Sequence, residues 1–135
     1  MINVDEKYQN GSKKKIVIAI GGNAILQKDQ IGTYEEQREN IKKTAKNIAS
    51  IVLGKHQYKI SAITHGNGPQ VGNMLLQQEL TVNVPSLPMH AVVAMTQGQI
   101  GYMLQQALQN EFKKLKKDKK IVSLITQTVV AKNDS

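Results

Sequence analysis

Two short segments pair glycine with asparagine in a way that suits an anionic ligand: Gly21-Gly22-Asn23 and Gly66-Asn67-Gly68. Glycine lets a backbone approach a ligand closely and adopt positive φ. Successive exposed N–H groups at such turns form a cradle for anions. The carboxamides of Asn23 and Asn67 add donors for oxygen without adding charge. The first segment is suited to a transferring phosphoryl group, the second to an anionic or planar ligand beside it. Neither is a Walker A loop, because no Gly-Lys-Ser/Thr follows, and neither fits G-x-G-x-x-G. The chain has no cysteine, which excludes thiolate chemistry and disulfides. Asp5, Asp29, Asp118 and Asp134 form no recognisable carboxylate pair, so no protein-held metal is expected. His65 sits inside the second segment and is read as orienting it, whereas His56 and His90 read as surface residues. Lys132, near the end of the chain, is by composition alone a solvated lysine.

The elements that would position these residues alternate between strand and helix. Ile16–Ile20 is an apolar, β-branched run ended by glycines, and reads as a strand buried on both faces. Thr33 and Glu36 have capping-box spacing, and Ile41, Ala45, Ile48, Ala49 and Val52 form the apolar face of a helix that stops near Gly54. Lys59–Ile63 is a second strand, and Pro69 is placed to open a second helix. Thr81–Pro88 reads as a loop. Met89–Lys117 reads as a long helix with a weak point near Gly98 and Gly101, and 121–125 and 128–130 read as strand. The pattern predicts an α/β fold with a mainly parallel sheet sandwiched by helices. Both glycine segments then fall at the carboxyl ends of strands, where ligands bind in such sheets.

Bulk composition agrees. With 135 residues, 40% hydrophobic and 21% charged, the chain suits one globular domain. No apolar run approaches the ~18 residues of a membrane span. The net charge of +8 is concentrated at Lys13–Lys15 and Lys113–Lys120. These clusters read as solvated element ends, and the lack of aromatic residues interleaved with them argues against base stacking. The methionines read as core fillers or interface residues.

Four segments together resemble the carbamate kinases of the amino-acid-kinase superfamily: Ile18-Ala-Ile-Gly-Gly-Asn-Ala24, Thr64-His-Gly-Asn-Gly-Pro-Gln-Val-Gly72, Gln97–Leu108 and Thr126–Asp134. They occur in the family's order and cover nearly all of the chain from Lys15. The resemblance implies reversible phosphoryl transfer, ATP + carbamate = ADP + carbamoyl phosphate, as in arginine fermentation. It implies Gly21, Gly22 and Asn23 around the phosphoryl group, Gly66, Asn67 and Gly68 at the carbamate part, and Lys132 as a cation on the phosphoryl oxygens. Lys132, Gly21 and Asn23 are then the catalytic candidates. It further implies ATP/ADP with Mg²⁺ and a homodimer; beside it, a cytoplasmic location without a membrane partner is expected, and a nucleic-acid partner is ranked low.

Family members are longer and two-lobed. The expectation is therefore a polar tail over 1–14 and a partial amino-terminal, carbamate-binding lobe over 15–135, without the nucleotide lobe. Such a truncated chain is expected to have little or no kinase activity alone. A non-catalytic remnant or pseudogene product, an interaction module, one fragment of a split kinase, and a small basic nucleic-acid binder are the alternatives, the last ranked lowest.

Overall fold

The computed structural model describes residues 14–54, 58–131 and 133. The tail expected over 1–14, apart from Lys14, and the residues His56 and Lys132 lie outside the described residues. Two strands, β1 (Lys15–Ile20) and β2 (Lys59–His65), pair in parallel. They are joined through a 3₁₀ turn at Gly22–Ala24 and helix α1 (Tyr34–Leu53). Helices α2 (Gly68–Glu79) and α3 (Met89–Lys114) follow.

Helix α1 starts where the capping box predicts. The Glu36 N–H donates to Thr33 Oγ1 at 3.2 Å, and Glu36 Oε2 accepts from the N–H groups of Thr33 (2.9 Å) and Gly32 (2.8 Å). Gly32 makes this entry possible by adopting φ +92°, a conformation that disfavours a side chain. Ile41, Ala45, Ile48 and Ala49 of α1 pack against Ile100, Met103, Leu104, Ala107, Leu108 and Phe112 of α3. Burying each large aliphatic side chain is worth about 1.5–3 kcal/mol, so this seam is the main source of cohesion.

The sheet adds Ile18, Ile20, Ile60 and Ile63 to the same core. A bulge makes this possible. Ile16 pairs with Ile60 but Val17 pairs with Ala62, leaving Ser61 as a surplus residue. Without it, the three-residue spacing of Ile60 and Ile63 would turn one of them away from the core.

The expectation of a strand buried on both faces is corrected. Val17 is 64% exposed, and Ala19, Ala62 and Thr64 are exposed with it, because α1 and α3 cover only the other face. Helix α3 also differs from expectation, running unbroken through Gly98 and Gly101. These glycines make room rather than breaks. A Cβ on Gly101 would meet Ser123 at 2.9 Å, and one on Gly98 would meet Ile125 at 3.8 Å. The segment from 121 to 126 therefore crosses α3 directly.

That segment corrects a third expectation. Residues 121–125 and 128–130 are not strand, and the sheet has two strands among the described residues. The physical reason lies in the backbone partners. Gln97 captures Thr126 at both groups, accepting its N–H at 2.8 Å and donating to its carbonyl at 3.3 Å. The chain is thus held on a helix by side-chain amides, that of Gln97 and, through Ser123 Oγ at 3.5 Å, that of Gln105, with Val122 and Leu124 facing outward.

Candidate functional site

In β1 and β2, Ile20 and His65 are register partners, so Gly21 and Gly66 leave the sheet side by side at its carboxyl rim. Neighbouring strands lie about 4.8 Å apart, which sets the scale of the separation. The structure thus brings Gly21, Gly22, Asn23, Gly66, Asn67 and Gly68 to one edge of the molecule.

Each loop opens a helical turn whose first N–H groups lack intrahelical acceptors. In the 3₁₀ turn, the N–H groups of Ala24 and Ile25 donate to Gly21 and Gly22. Those of Gly22 and Asn23 have no partner among the described residues. In α2 the first backbone bond is Val71 N–H to the Asn67 carbonyl, at 3.0 Å, and the Gly68 N–H is left free.

Asn67 occupies the N-cap of α2, where its side chain would normally accept from the first turn. Here it is diverted. Its Nδ2 donates to Thr96 Oγ1 at 2.8 Å and to the Val93 carbonyl at 3.3 Å on α3. Thr96 is fully buried, and its hydroxyl donates in turn to the carbonyls of Val92 and Val93. The amide expected to face a ligand is therefore spent on holding the loop. The N-terminus of α2 stays open, with its partial positive charge uncompensated.

The glycines themselves are informative. Gly32 is the only described glycine with positive φ, so the positive-φ role offered for the loop glycines does not apply to them. A Cβ on Gly21, Gly22, Gly66 or Gly68 would meet nothing within 4 Å. Neither backbone conformation nor protein packing requires glycine at these four positions. Gly72, one turn along α2, is open in the same way. It costs that helix roughly 1 kcal/mol relative to alanine.

Three polar residues of α1 fasten the first loop, and the sequence reading missed them. Gln37 donates to the Gly32 carbonyl at 2.7 Å, Asn40 to the Ile25 carbonyl at 3.1 Å, and Thr44 to the Ala24 carbonyl at 3.2 Å. Their signal was present as polar side chains at helical spacing beside the apolar stripe. His65 is half-buried, with Nδ1 at 3.3 Å from the Gly66 carbonyl. Lys132 falls outside the described residues, so the rim as described carries no lysine from that segment.

The rim offers N–H donors. No group of three or more His, Asp or Glu side chains among the described residues is arranged to hold a metal ion, and the donor set fits an anion rather than a protein-held Mg²⁺. A cleft of about 560 Å³ lies between α1 and α3 and is lined by Arg38, Lys42, Lys43 and Lys46 with Lys113 and Lys114. Lys42 and Lys114 pair there with Glu39 and Glu111. Neither this cleft nor the shallow one beside Lys116–Lys120 touches the glycine loops. No helix among the described residues is long and apolar enough to cross a membrane.

Comparison with solved structures gives the class. The chain superposes on a Giardia carbamate kinase with a TM-score of 0.80 and 41% identity, over 93% of this chain and 42% of that one. A Giardia lamblia carbamate kinase bound to AMP-PNP matches with a TM-score of 0.72 and 44% identity, over 78% and 36% of the two chains. The architecture is therefore that of the amino-acid-kinase fold.

A scan against protein-family models returns no match. Among curated proteins, the carbamate kinase of Thermococcus kodakarensis is 54% identical over 124 residues, which are 90% of this chain and 39% of that protein. That of Pyrococcus furiosus is 51% identical over 124 residues, covering 90% and 38%. The chain is homologous to the carbamate kinases, and it spans roughly two-fifths of the length of these relatives.

Proposed function

We propose that the chain is a carbamate-kinase-like protein whose described residues form the carbamate- and phosphoryl-binding side of the site. The family reaction moves a phosphoryl group between the terminal oxygen of ADP and a carbamate oxygen. The observation that carries this reading is the set of four rim glycines, for which the fold itself supplies no reason. They leave open space over free N–H groups at two adjacent turns, which is what close approach of a small phosphorylated compound requires.

In this reading Gly21, Gly22 and Asn23 hold the transferring phosphoryl oxygens, and Gly66, Asn67 and Gly68 border the carbamate part. Asn67 acts by holding its loop against α3 rather than by direct contact. Phosphoryl transfer needs little beyond positioning and neutralisation of equatorial charge, which backbone amides provide without a nucleophilic side chain. Lys132 is proposed as the positive charge on the phosphoryl oxygens. ATP and ADP are the proposed co-substrates by homology, supplying the phosphoryl donor and acceptor. The chain spans about two-fifths of the length of its relatives, so the 135 residues assayed alone are expected to turn over weakly or not at all.

The test has two arms. Titration of the chain with acetyl phosphate, followed by amide NMR, is expected to shift Gly21, Gly22, Gly66 and Gly68 together. ATP formation from ADP and carbamoyl phosphate is expected near background. Shifts confined to the lysine cleft would overturn the site, and robust turnover would overturn the division of labour.

A further inference from the structure

Gln37, Asn40 and Thr44 lie on one stripe of α1, at spacings of three and four residues. All three grip carbonyls of the segment that carries the first glycine loop. Gln37 has a second bond. Its Oε1 accepts from Gln70 Nε2 at 2.9 Å. Gln70 is the third residue of α2, two residues beyond the last glycine of the second loop. Gln37 and Gln70 are 5% and 6% exposed, so their amides have little access to water.

A buried primary amide is tolerated only when bonded, and an apolar pair of similar volume would fill the same space. What the amides add is direction. The Gln37 carboxamide gives its NH₂ to Gly32 and its oxygen to Gln70, and reversing the group would break both bonds. Gly32 also lies against α2, since a Cβ there would come within 3.6 Å of Asn73 Nδ2. The stripe that fixes the first loop is thereby locked to the first turn of the helix that begins at the second.

We propose that the Gln37–Gln70 amide pair is a positioning device that sets the spacing of the two glycine loops, and with it the size of anion they accept together. This rests on the reading of the loops as a phosphoryl site. Neither glutamine reaches the rim; both act through the backbone they hold.

The experiment uses the full chain with Gln37→Leu, Gln70→Leu and the double substitution. Three properties are read: melting temperature, amide hydrogen exchange, and acetyl phosphate affinity from NMR titration. Gln70→Leu is expected to quicken exchange across the bond, in residues 21–33, as well as in α2. The double variant is expected to regain most of the melting temperature, because two apolar side chains fill the space. Its acetyl phosphate affinity is expected to stay about tenfold weaker than wild type, as loss of the two directional hydrogen bonds of the Gln37 carboxamide allows. Exchange changes confined to α2, or recovery of affinity together with melting temperature, would show a pair that merely packs. Absence of any acetyl phosphate response in the wild type would remove the phosphoryl-site reading instead, and the exchange pattern would still decide whether the pair couples the loops.

Discussion

Gly98 and Gly101 lie on the same helix three residues apart and differ in what stands over them, so replacing each by alanine separates helix propensity from packing. In an exposed helix interior, glycine to alanine stabilises by about 0.8–1 kcal/mol. At Gly98 the new methyl would sit 3.8 Å from Ile125 Cδ1, an ordinary contact, so the full gain is expected. At Gly101 it would sit 2.9 Å from both Cβ and Oγ of Ser123, closer than real Cβ atoms come. The crossing segment must then move. Its tether to α3 includes the two bonds from the Thr126 backbone to Gln97, each worth a net ~0.5–1.5 kcal/mol. Losing them offsets the propensity gain, so Gly101→Ala is expected to be neutral or destabilising by up to about 2 kcal/mol. Adding Ser123→Gly removes both contacting atoms and should recover the difference. For a chain of this size 1 kcal/mol moves the melting temperature by roughly 3–6 °C, within reach of a thermal scan followed by circular dichroism. If Gly101→Ala stabilises as much as Gly98→Ala, the segment does not cross α3 at this point and the account of residues 121–126 fails.

The remaining expectations concern the loops and the helix ends. Gly22→Ala should leave the melting temperature within about 1 °C of wild type, because nothing lies within 4 Å of the new methyl, yet abolish the acetyl phosphate shifts at the rim; unchanged binding would mean that no ligand approaches there. Hydrogen bonds from the N–H groups of Thr33, first, and Gly32 hold the Glu36 carboxyl below the usual carboxylate range. The stabilisation from this group is therefore complete above the ordinary glutamate value and lost as pH falls through the lowered one. Denaturant titrations between pH 7 and 3 should show a smaller acid loss for Glu36→Gln, and identical pH profiles would refute the assignment. Lys116 ends α3 at φ +53°, with Lys117 N–H bonded to the Phe112 carbonyl and Lys116 N–H to that of Lys113. This is a Schellman turn with lysine where glycine is favoured. Lys116→Gly should stabilise by about 1 kcal/mol in urea unfolding, and a loss would argue against that turn.

What the sequence shows clearly is whatever a local rule encodes. Thr33 and Glu36 announce the start of α1 because both halves of the cap lie within four residues. The two glycine loops are recognisable because each follows an apolar run. The same local rules mislead where the partner is distant. Ile121–Ile125 has strand composition, but a strand also needs a neighbour to pair with, and the backbone of Thr126 that follows it goes to Gln97. Gly98 and Gly101 look like helix breakers until the chain crossing over them is known. Gln37 and Gln70 are 33 residues apart, and each alone is a polar residue at the wrong place on an apolar face. Asn67 looks like a ligand donor because its role as a tether depends on Thr96, 29 residues on.

The bulge in β2 bears on which lengths of chain this rim can tolerate. Ser61 has no register partner, so excising it would leave Ile60, Ala62 and Ile63 alternating cleanly against Ile16, Val17 and Ile18. His65 and the turn after it would keep their orientation. Excising Thr64 instead changes the parity of everything downstream, sending the second turn off the opposite side of the sheet. Thermal unfolding of the two single-residue deletions should find the first near wild type and the second largely unfolded, which would mark Ser61 as a spare link in the stretch leading to the rim.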